Sequence, residues 1–510
     1  MGKKKENGRT AKVIINTLAQ LLPEIVNTIS GFVLPRFILL TFGSALTGLV
    51  SSINQFLTYL RKMEAGLSTA SAVNLYKPLA KKDEKKVREV VAASKHFYRW
   101  VGILFSIGAC ILAALYPFIV DVNIQGYSWY KVSTLVLILA GSAAFNYFFS
   151  SAYQALLIAD QRYYIVSINM TVYGALTIPL ILLTLKTGNM LIVQLVNLLL
   201  AVAQAVTLVF YTKWKYKNMV KPTKEFDKKS MNMRWDVFLN ELGFLVETNA
   251  PSLIITFLIG LSAVSVYTVY NMVFVALQSV IRISREALRP AFGQAWAAGE
   301  KDVVKKCYAE FECLIFEATV VLYTIAGIML LPFVRIYTEG VTDANYILPL
   351  FGVFFCMSGA IRQLQIPASI MVGAAGKFKE VRSCVLVSAL SCVVIGALGG
   401  IFFGMSGVMF GMVCGTCIKT AYTTYFINKK VLERNLGTTI SRVLRGGAVV
   451  LISVAPFVLG IKLVPTNFIE WILQAVGVSV WVLGVSIINL LLFDRRDILG
   501  LCKRLINVVR

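Results

Sequence analysis

The sequence predicts an all-α polytopic membrane protein of about fourteen transmembrane helices, and three observations lead there. Of its 510 residues 57% are hydrophobic and only 15% charged, with a mean hydropathy of +0.73. A soluble domain has about 45–50% and about 25%. The apolar residues also fall into runs of about 20 or more, the length that crosses about 30 Å of hydrocarbon as a helix. Finally, basic residues gather in alternate connections between those runs, the mark of membrane topology.

The fourteen runs lie at about 13–40, 44–62, 97–120, 132–158, 163–185, 190–212, 235–259, 262–288, 313–336, 346–372, 380–403, 405–427, 441–462 and 467–493. Several exceed the minimum span, so tilt or bending is expected. Pro23 and Pro35 can each kink the first. That run has no convincing cleavage site and is expected to be retained. Position 6 is Glu6, not the Ser or Thr of a myristoylation signal. With the amino terminus placed in the cytoplasm, 41 of the 50 lysines and arginines fall on cytoplasmic segments. Only Lys131, Lys186, Arg335 and Lys462 face the other side. One missed or invented helix would scramble that asymmetry, so both termini are expected in the cytoplasm. Segment 77–95, with its Lys-Lys-Asp-Glu-Lys-Lys, is expected to form a short surface helix.

The net charge of +24 would suit nucleic-acid binding in a soluble chain. Its placement in short loops between spans assigns it to topology instead, and no nucleic-acid partner is expected. Most of the nine cysteines sit in apolar runs as small hydrophobes. Cys414-Gly-Thr-Cys417 has redox spacing but no βαβ context. His96 is the sole histidine, and neither a metalloprotease motif nor a P-loop occurs, so no metal site and no nucleotide hydrolysis are expected. Trp129, Tyr130, Trp214 and Trp235 sit where interfacial belts put aromatic residues.

The first twelve helices divide into two groups of six around a lysine-rich segment. At an offset of 217 residues Glu24 falls on Glu241, Gly43 on Gly260 and Asn54 on Asn271. The phrase Leu22-Pro-Glu24 recurs as Leu239-Asn-Glu241. Two pseudo-symmetric six-helix bundles plus two C-terminal helices are therefore expected: an N-terminal lobe at 1–212, a cytoplasmic basic linker at 213–234, a C-terminal lobe at 235–430, and an extra helix pair with a cytoplasmic tail at 431–510. Six crossings separate the halves, so the repeat is parallel, about an axis along the membrane normal. Transporters built this way hold substrate between the halves.

Charge inside a span is costly and usually faces a cavity or a partner. On helix eight, Asn271, Gln278, Arg282, Arg285 and Arg289 lie within about 60° of one another at 100° per residue. Helix two carries Thr47, Ser51, Asn54, Thr58 and Arg61 on a similar stripe. Both are expected to line a cytoplasm-facing cavity, where guanidinium forks suit phosphate oxygens; the plainer alternative is that Arg61, Arg285 and Arg289 snorkel to the headgroups. Arg36, beside Pro35, and Arg362 and Lys419, in helices ten and twelve, are further candidates. Each of the last two could instead pair with Glu24, Glu241, Glu247 or Glu317. Glu24, Glu241 and Glu247 are also candidates for coupling to Na⁺ or H⁺.

Several phrases resemble the polysaccharide transporter branch, including Wzx-type oligosaccharide flippases, of the multidrug/oligosaccharidyl-lipid/polysaccharide exporter superfamily. They are Met63-Glu-Ala-Gly-Leu-Ser-Thr-Ala70 after helix two, Leu34-Pro-Arg36 in helix one, and Ala155 to Arg162 at the end of helix four. Glu64-Ala65 stands where that family usually has Asp-Leu. The resemblance spans about residues 10–430. It implies a transporter, not an enzyme, that alternates between inward- and outward-open forms. The implied substrate is an undecaprenyl-diphosphate-linked oligosaccharide, flipped from the inner to the outer leaflet of a bacterial plasma membrane. A cationic cavity would hold the diphosphate while the polyprenyl tail stays in membrane lipid. Arg36, Arg61, Arg282, Arg285 and Arg289 match the basic residues that related lipid II flippases carry on helices one, two and eight. Polymerases and glycosyltransferases are the implied partners, with no cofactor beyond a coupling ion. A lipid II flippase and a cation-coupled multidrug antiporter are the alternatives; the latter's site would favour acids and aromatics over arginine.

Overall fold

A computed structural model describes residues 2–64, 83–120, 126–160, 162–217 and 235–495, with single positions between 71 and 81 and at 219–220. Side chains at 2–18, 20–21, 63, 235–245, 282–291, 294–295 and 297 lie outside the described set, as does the linker at 221–234. The described chain is helical throughout. In order come α1 (Gly2–Arg61), α2 (Glu84–Ile119), α3 (Trp129–Phe145), α4 (Ser151–Ala159), α5 (Tyr163–Leu185), α6 (Met190–Lys215), α7 (Trp235–Leu258) and α8 (Leu261–Ala297). They are followed by α9 (Lys301–Tyr337), α10 (Pro349–Leu364), α11 (Ile366–Ala375), α12 (Phe378–Phe426), α13 (Leu436–Leu459) and α14 (Phe468–Phe493).

Among the described residues ten stretches are long and apolar enough to cross a membrane. Two of them are hairpins, because α1 folds back at Gly43 (φ 74°, ψ 178°) and α12 at Gly404 (φ 59°, ψ −144°). These angles are open only to glycine, so each ends one span and starts the next. With α7 and the broken α10–α11 rod, the segments number the fourteen that the sequence predicts. The chain is a multi-pass membrane protein.

The fold divides into two compact units, Met1–Glu241 and Leu242–Arg510. Left-handed glycines recur in them at nearly constant spacing: Gly43 and Gly260, Gly188 and Gly404, Gly126 and Gly340, at offsets of 217, 216 and 214 residues. Each marks a sharp reversal between helices. The fourth helix of each half is also irregular at one position. A π-helical turn at Asn146–Ser150 joins α3 to α4, and a break at Gln365, just before Pro367, separates α10 from α11.

Unit 1 differs from the expectation at its third helix. From Glu84 the segment expected as a short surface helix runs on without interruption into the third span as α2, capped by the Asp83 carboxylate, which accepts from Lys86 N at 3.0 Å. Its extension is amphipathic. Val87 and Val91 pack with Leu156 and Leu157 of α4, Val166 of α5 and Leu208 of α6. In unit 2 the two arms of α12 approach backbone to backbone. A Cβ on Gly407 would overlap the Gly399 carbonyl, and one on Gly411 would overlap Gly396. Small residues permit such contact between spans, where dispersion rather than the hydrophobic effect drives association.

The extra pair, α13 and α14, packs on α9 within unit 2. Met329 of α9 meets Val478 and Val482 of α14. Trp471 Nε1 donates to the Met329 carbonyl at 3.2 Å, and Ser486 Oγ and Asn489 Nδ2 donate to the Glu317 carboxylate at 2.6 and 2.8 Å. Glu317, counted from the sequence as a partner for Arg362 or Lys419, instead fastens this pair.

Candidate functional site

In unit 1 the second arm of α1 carries the expected stripe as one helical face. Thr47 and Thr58 turn their hydroxyls back onto the Gly43 and Asn54 carbonyls at 2.8 Å, so neither is a strong ligand for anything else. Asn54 and Arg61 are half-buried. Arg61 Nε is buried without a hydrogen-bond partner, and the Arg61 carbonyl accepts from Tyr147 Oη at 3.2 Å. Three residues on, burial raises the Glu64 carboxyl above the usual carboxylate range, against the opposing pull of hydrogen bonds from the Tyr147 and Tyr98 hydroxyls. Arg36 and Glu24 are half-buried on the first arm.

Unit 1 also holds a site that the sequence reading missed. A cavity of about 70 Å³ at the π-helical turn is lined by Asn146, Gln154, Asn169 and Gln204. Asn169 Oδ1 is buried there with no hydrogen-bond partner. The signal was present as four amides in otherwise apolar runs, but an amide carries no charge, and only their convergence singles them out.

In unit 2 the acids and bases sort themselves. Lys419 Nζ sits 2.6 Å from Glu247 Oε2, with side-chain exposures of 7% and 2%. The structure thus joins two expected site residues to each other. Arg362, half-buried near the end of α10, makes no ion pair among the described residues. Its Nε is buried and unbonded, with Tyr267, Tyr323 and Cys392 as electrostatic neighbours. Gln363 beside it donates to Tyr323 Oη at 3.2 Å, and Thr420 Oγ1 donates to the Ile361 carbonyl at 3.3 Å, which holds this end of α10 against α12. Asn271 and Gln278 are half-buried on α8. That helix is continuous through Ala297, so the register of Asn271, Gln278, Arg282, Arg285 and Arg289 persists on one face. The side chains of Arg282, Arg285, Arg289 and Glu241 lie outside the described residues. Glu247 answers Lys419, whereas the Arg362 guanidinium has no acid to answer it among the described residues.

The chain, helical throughout its described residues, is a multi-pass membrane protein with positive-φ glycine turns repeated in two halves and arginines within its spans. It belongs to the polysaccharide biosynthesis protein family, whose sequence profile matches residues 10–296. No curated protein matches the sequence. Among solved structures, the lipid II flippase MurJ in an inward closed conformation superposes with a TM-score of 0.64 at 13% identity, covering 95% of this chain and 100% of that one. An inward-facing multidrug resistance MATE transporter of the MOP superfamily gives 0.60 at 16% identity, covering 85% and 98%. A MOP superfamily transporter from Pyrococcus furiosus gives 0.53 at 14%, covering 83% and 96%. At these identities the likeness is one of fold. The share of this chain that the MATE structure leaves uncovered is about the size of the segment from 431 to 510.

Proposed function

We propose that this protein is a flippase that carries an undecaprenyl-diphosphate-linked oligosaccharide from the inner to the outer leaflet of a bacterial plasma membrane by alternating access of its two lobes. The observation that carries the proposal is Arg362, a half-buried guanidinium within a span, unpaired by any described carboxylate. A cation held in hydrocarbon is costly, so such a residue implies an anionic partner or a wetted pathway. A diphosphate has the matching need, because it cannot cross hydrocarbon unpaired. The arginine fork bonds phosphate oxygens two at a time. The face of α8, in the same unit, would add Arg282, Arg285 and Arg289; Arg36 and Arg61 of α1 are the basic candidates of unit 1. No bond is made or broken, since the work is replacement of hydration and a change of lobe orientation. The fold match to a flippase structure takes in 95% of this chain against 85% for the multidrug transporter, which favours this reading over a multidrug antiporter.

The test is binding of undecaprenyl diphosphate to the purified protein in detergent. Arg362→Gln keeps the shape and removes the charge. Since a hydrogen bond to a charged group contributes about 1.5–3 kcal/mol, affinity should fall about tenfold or more. Unchanged affinity in a folded Arg362→Gln protein would remove Arg362 from the site.

A further inference from the structure

We infer that unit 2 has a second anion site, which holds the phosphate headgroup of an anionic glycerophospholipid where α13 begins and α14 ends. A cavity of about 950 Å³ opens there. Arg434, Arg442, Arg445 and Arg495 line it, against one acid, Asp494. Behind it the buried Glu312 accepts from Arg434 Nη1 at 2.7 Å and Arg442 Nη1 at 2.8 Å. Arg442 Nε donates to Asp494 Oδ1 at 3.1 Å. Among the described residues these two carboxylates contact Arg434, Arg442 and Arg445, so two acids face four guanidiniums, a formal excess of two positive charges.

That excess is only partly hydrogen-bonded. Arg445 Nη1 is ion-paired with Asp494 Oδ2 at 2.7 Å but makes no hydrogen bond, while Arg445 Nε donates to the Ser441 carbonyl at 3.2 Å. Arg495 is exposed and makes no ion pair among the described residues. The first turn of α13 also opens into the cavity, and Asn435 and Thr438 line it. The positive end of that helix dipole adds to the arginine field.

The remaining wall indicates the kind of anion. Leu491, Leu492 and Phe493 of α14 line the same cavity and are 62, 69 and 63% exposed. A soluble phosphate would have no use for them. A lipid would set its phosphate among the guanidiniums and its chains along these residues. This end of the two helices is the side that carries most of the lysine and arginine, where anionic headgroups attract basic pockets between spans. The cavity opens beside lipid-facing residues, so its occupant comes from the bilayer, whose bulk anion is the glycerophospholipid. Seated there, the phosphate would tie α13 to α14 and brace the helix pair.

The experiment measures binding of phosphatidylglycerol, phosphatidylcholine and undecaprenyl diphosphate to the full-length protein, delipidated in detergent, by native mass spectrometry. The wild type should prefer phosphatidylglycerol over phosphatidylcholine by at least about tenfold. Each rim arginine is worth about fivefold, so Arg445→Gln with Arg495→Gln should weaken phosphatidylglycerol about 25-fold. Arg445 also faces Asp494, so a second variant guards against a folding defect. Thr438→Glu places a carboxylate in the first turn of α13, where it suits the helix dipole, yet it repels a phosphate. It should lose phosphatidylglycerol with no fall in lipid-free melting temperature. Equal binding of the two phospholipids by the wild type would overturn the site, as would full phosphatidylglycerol binding by Thr438→Glu. Retention of undecaprenyl diphosphate alone at this locus would overturn the choice of lipid.

Discussion

Glu247→Gln takes from the buried Lys419 ammonium the carboxylate that lies 2.6 Å away. The two side chains are 2 and 7% exposed and 2.6 Å apart, so water cannot replace the lost carboxylate. Breaking a pair of this kind by removing one partner costs about 3–5 kcal/mol, whereas an exposed pair is worth about 0–1. At roughly 2–4 °C per kcal/mol for a unit of this size, the melting temperature in detergent should fall by about 10 °C. Lys419→Met should do similar harm by stranding Glu247. The double variant removes both charges and should recover most of the loss, because apolar replacement of a buried pair is often neutral. A double-mutant cycle followed by thermal unfolding reads the coupling directly. Were Glu247→Gln to melt within about 2 °C of the wild type, and the double variant no higher than the singles, the pair would not be holding α7 to α12, and the reasoning would fail.

Three other outcomes follow from the structure. Glu64 has its carboxyl raised by burial, so its protonated form favours the folded state. That contribution is present below about pH 4.3 and is lost as pH rises through the folded value; the stability of Glu64→Gln over the wild type should therefore grow as pH rises, and a pH-independent difference would contradict it. Gly411→Leu forces a side chain into the Gly396 backbone and should reduce folded yield severely, whereas Gly477→Ala, where a Cβ meets nothing within 4 Å, should be tolerated. Gln125→Cys should react with an impermeant thiol reagent from outside and Glu225→Cys should not; the reverse pattern would overturn the assigned orientation.

Spans and repeat were legible because both rest on strong, local signals. A run of about 20 apolar residues has few readings. The match of Gly43 with Gly260 was visible at the offset of 217 residues, and both carry positive φ. Gly188 with Gly404 and Gly126 with Gly340 escaped notice, because glycine is frequent in spans and its φ is not written in its neighbours. Helix ends were less legible. The helix expected from 441 begins at Leu436, and Arg442 within it is buried against Glu312 and Asp494.

Pairing was not legible at all. Four acids and two bases were candidates for one another, and only helix packing decides between them. It gave Glu247 to Lys419 and Glu317 to Ser486 and Asn489, and left Arg362 with none among the described residues. The amides around Asn169 went unseen for the same reason, since four neutral residues from α4, α5, α6 and the π-helical turn meet only in three dimensions. The stripe on α8 was legible because a helix supplies its own register. There Asn271 and Gln278 need no knowledge of any other element to be placed on the face that carries Arg282 and Arg285.

The most direct measurement is flipping by the double variant Arg282→Ala with Arg285→Ala, read by complementation of a strain lacking the protein. Membrane abundance is read alongside by immunoblot. The helix-eight face is proposed to receive the diphosphate, so flipping should be lost at normal abundance. Full complementation by this variant would contradict a cationic pathway through the lobes.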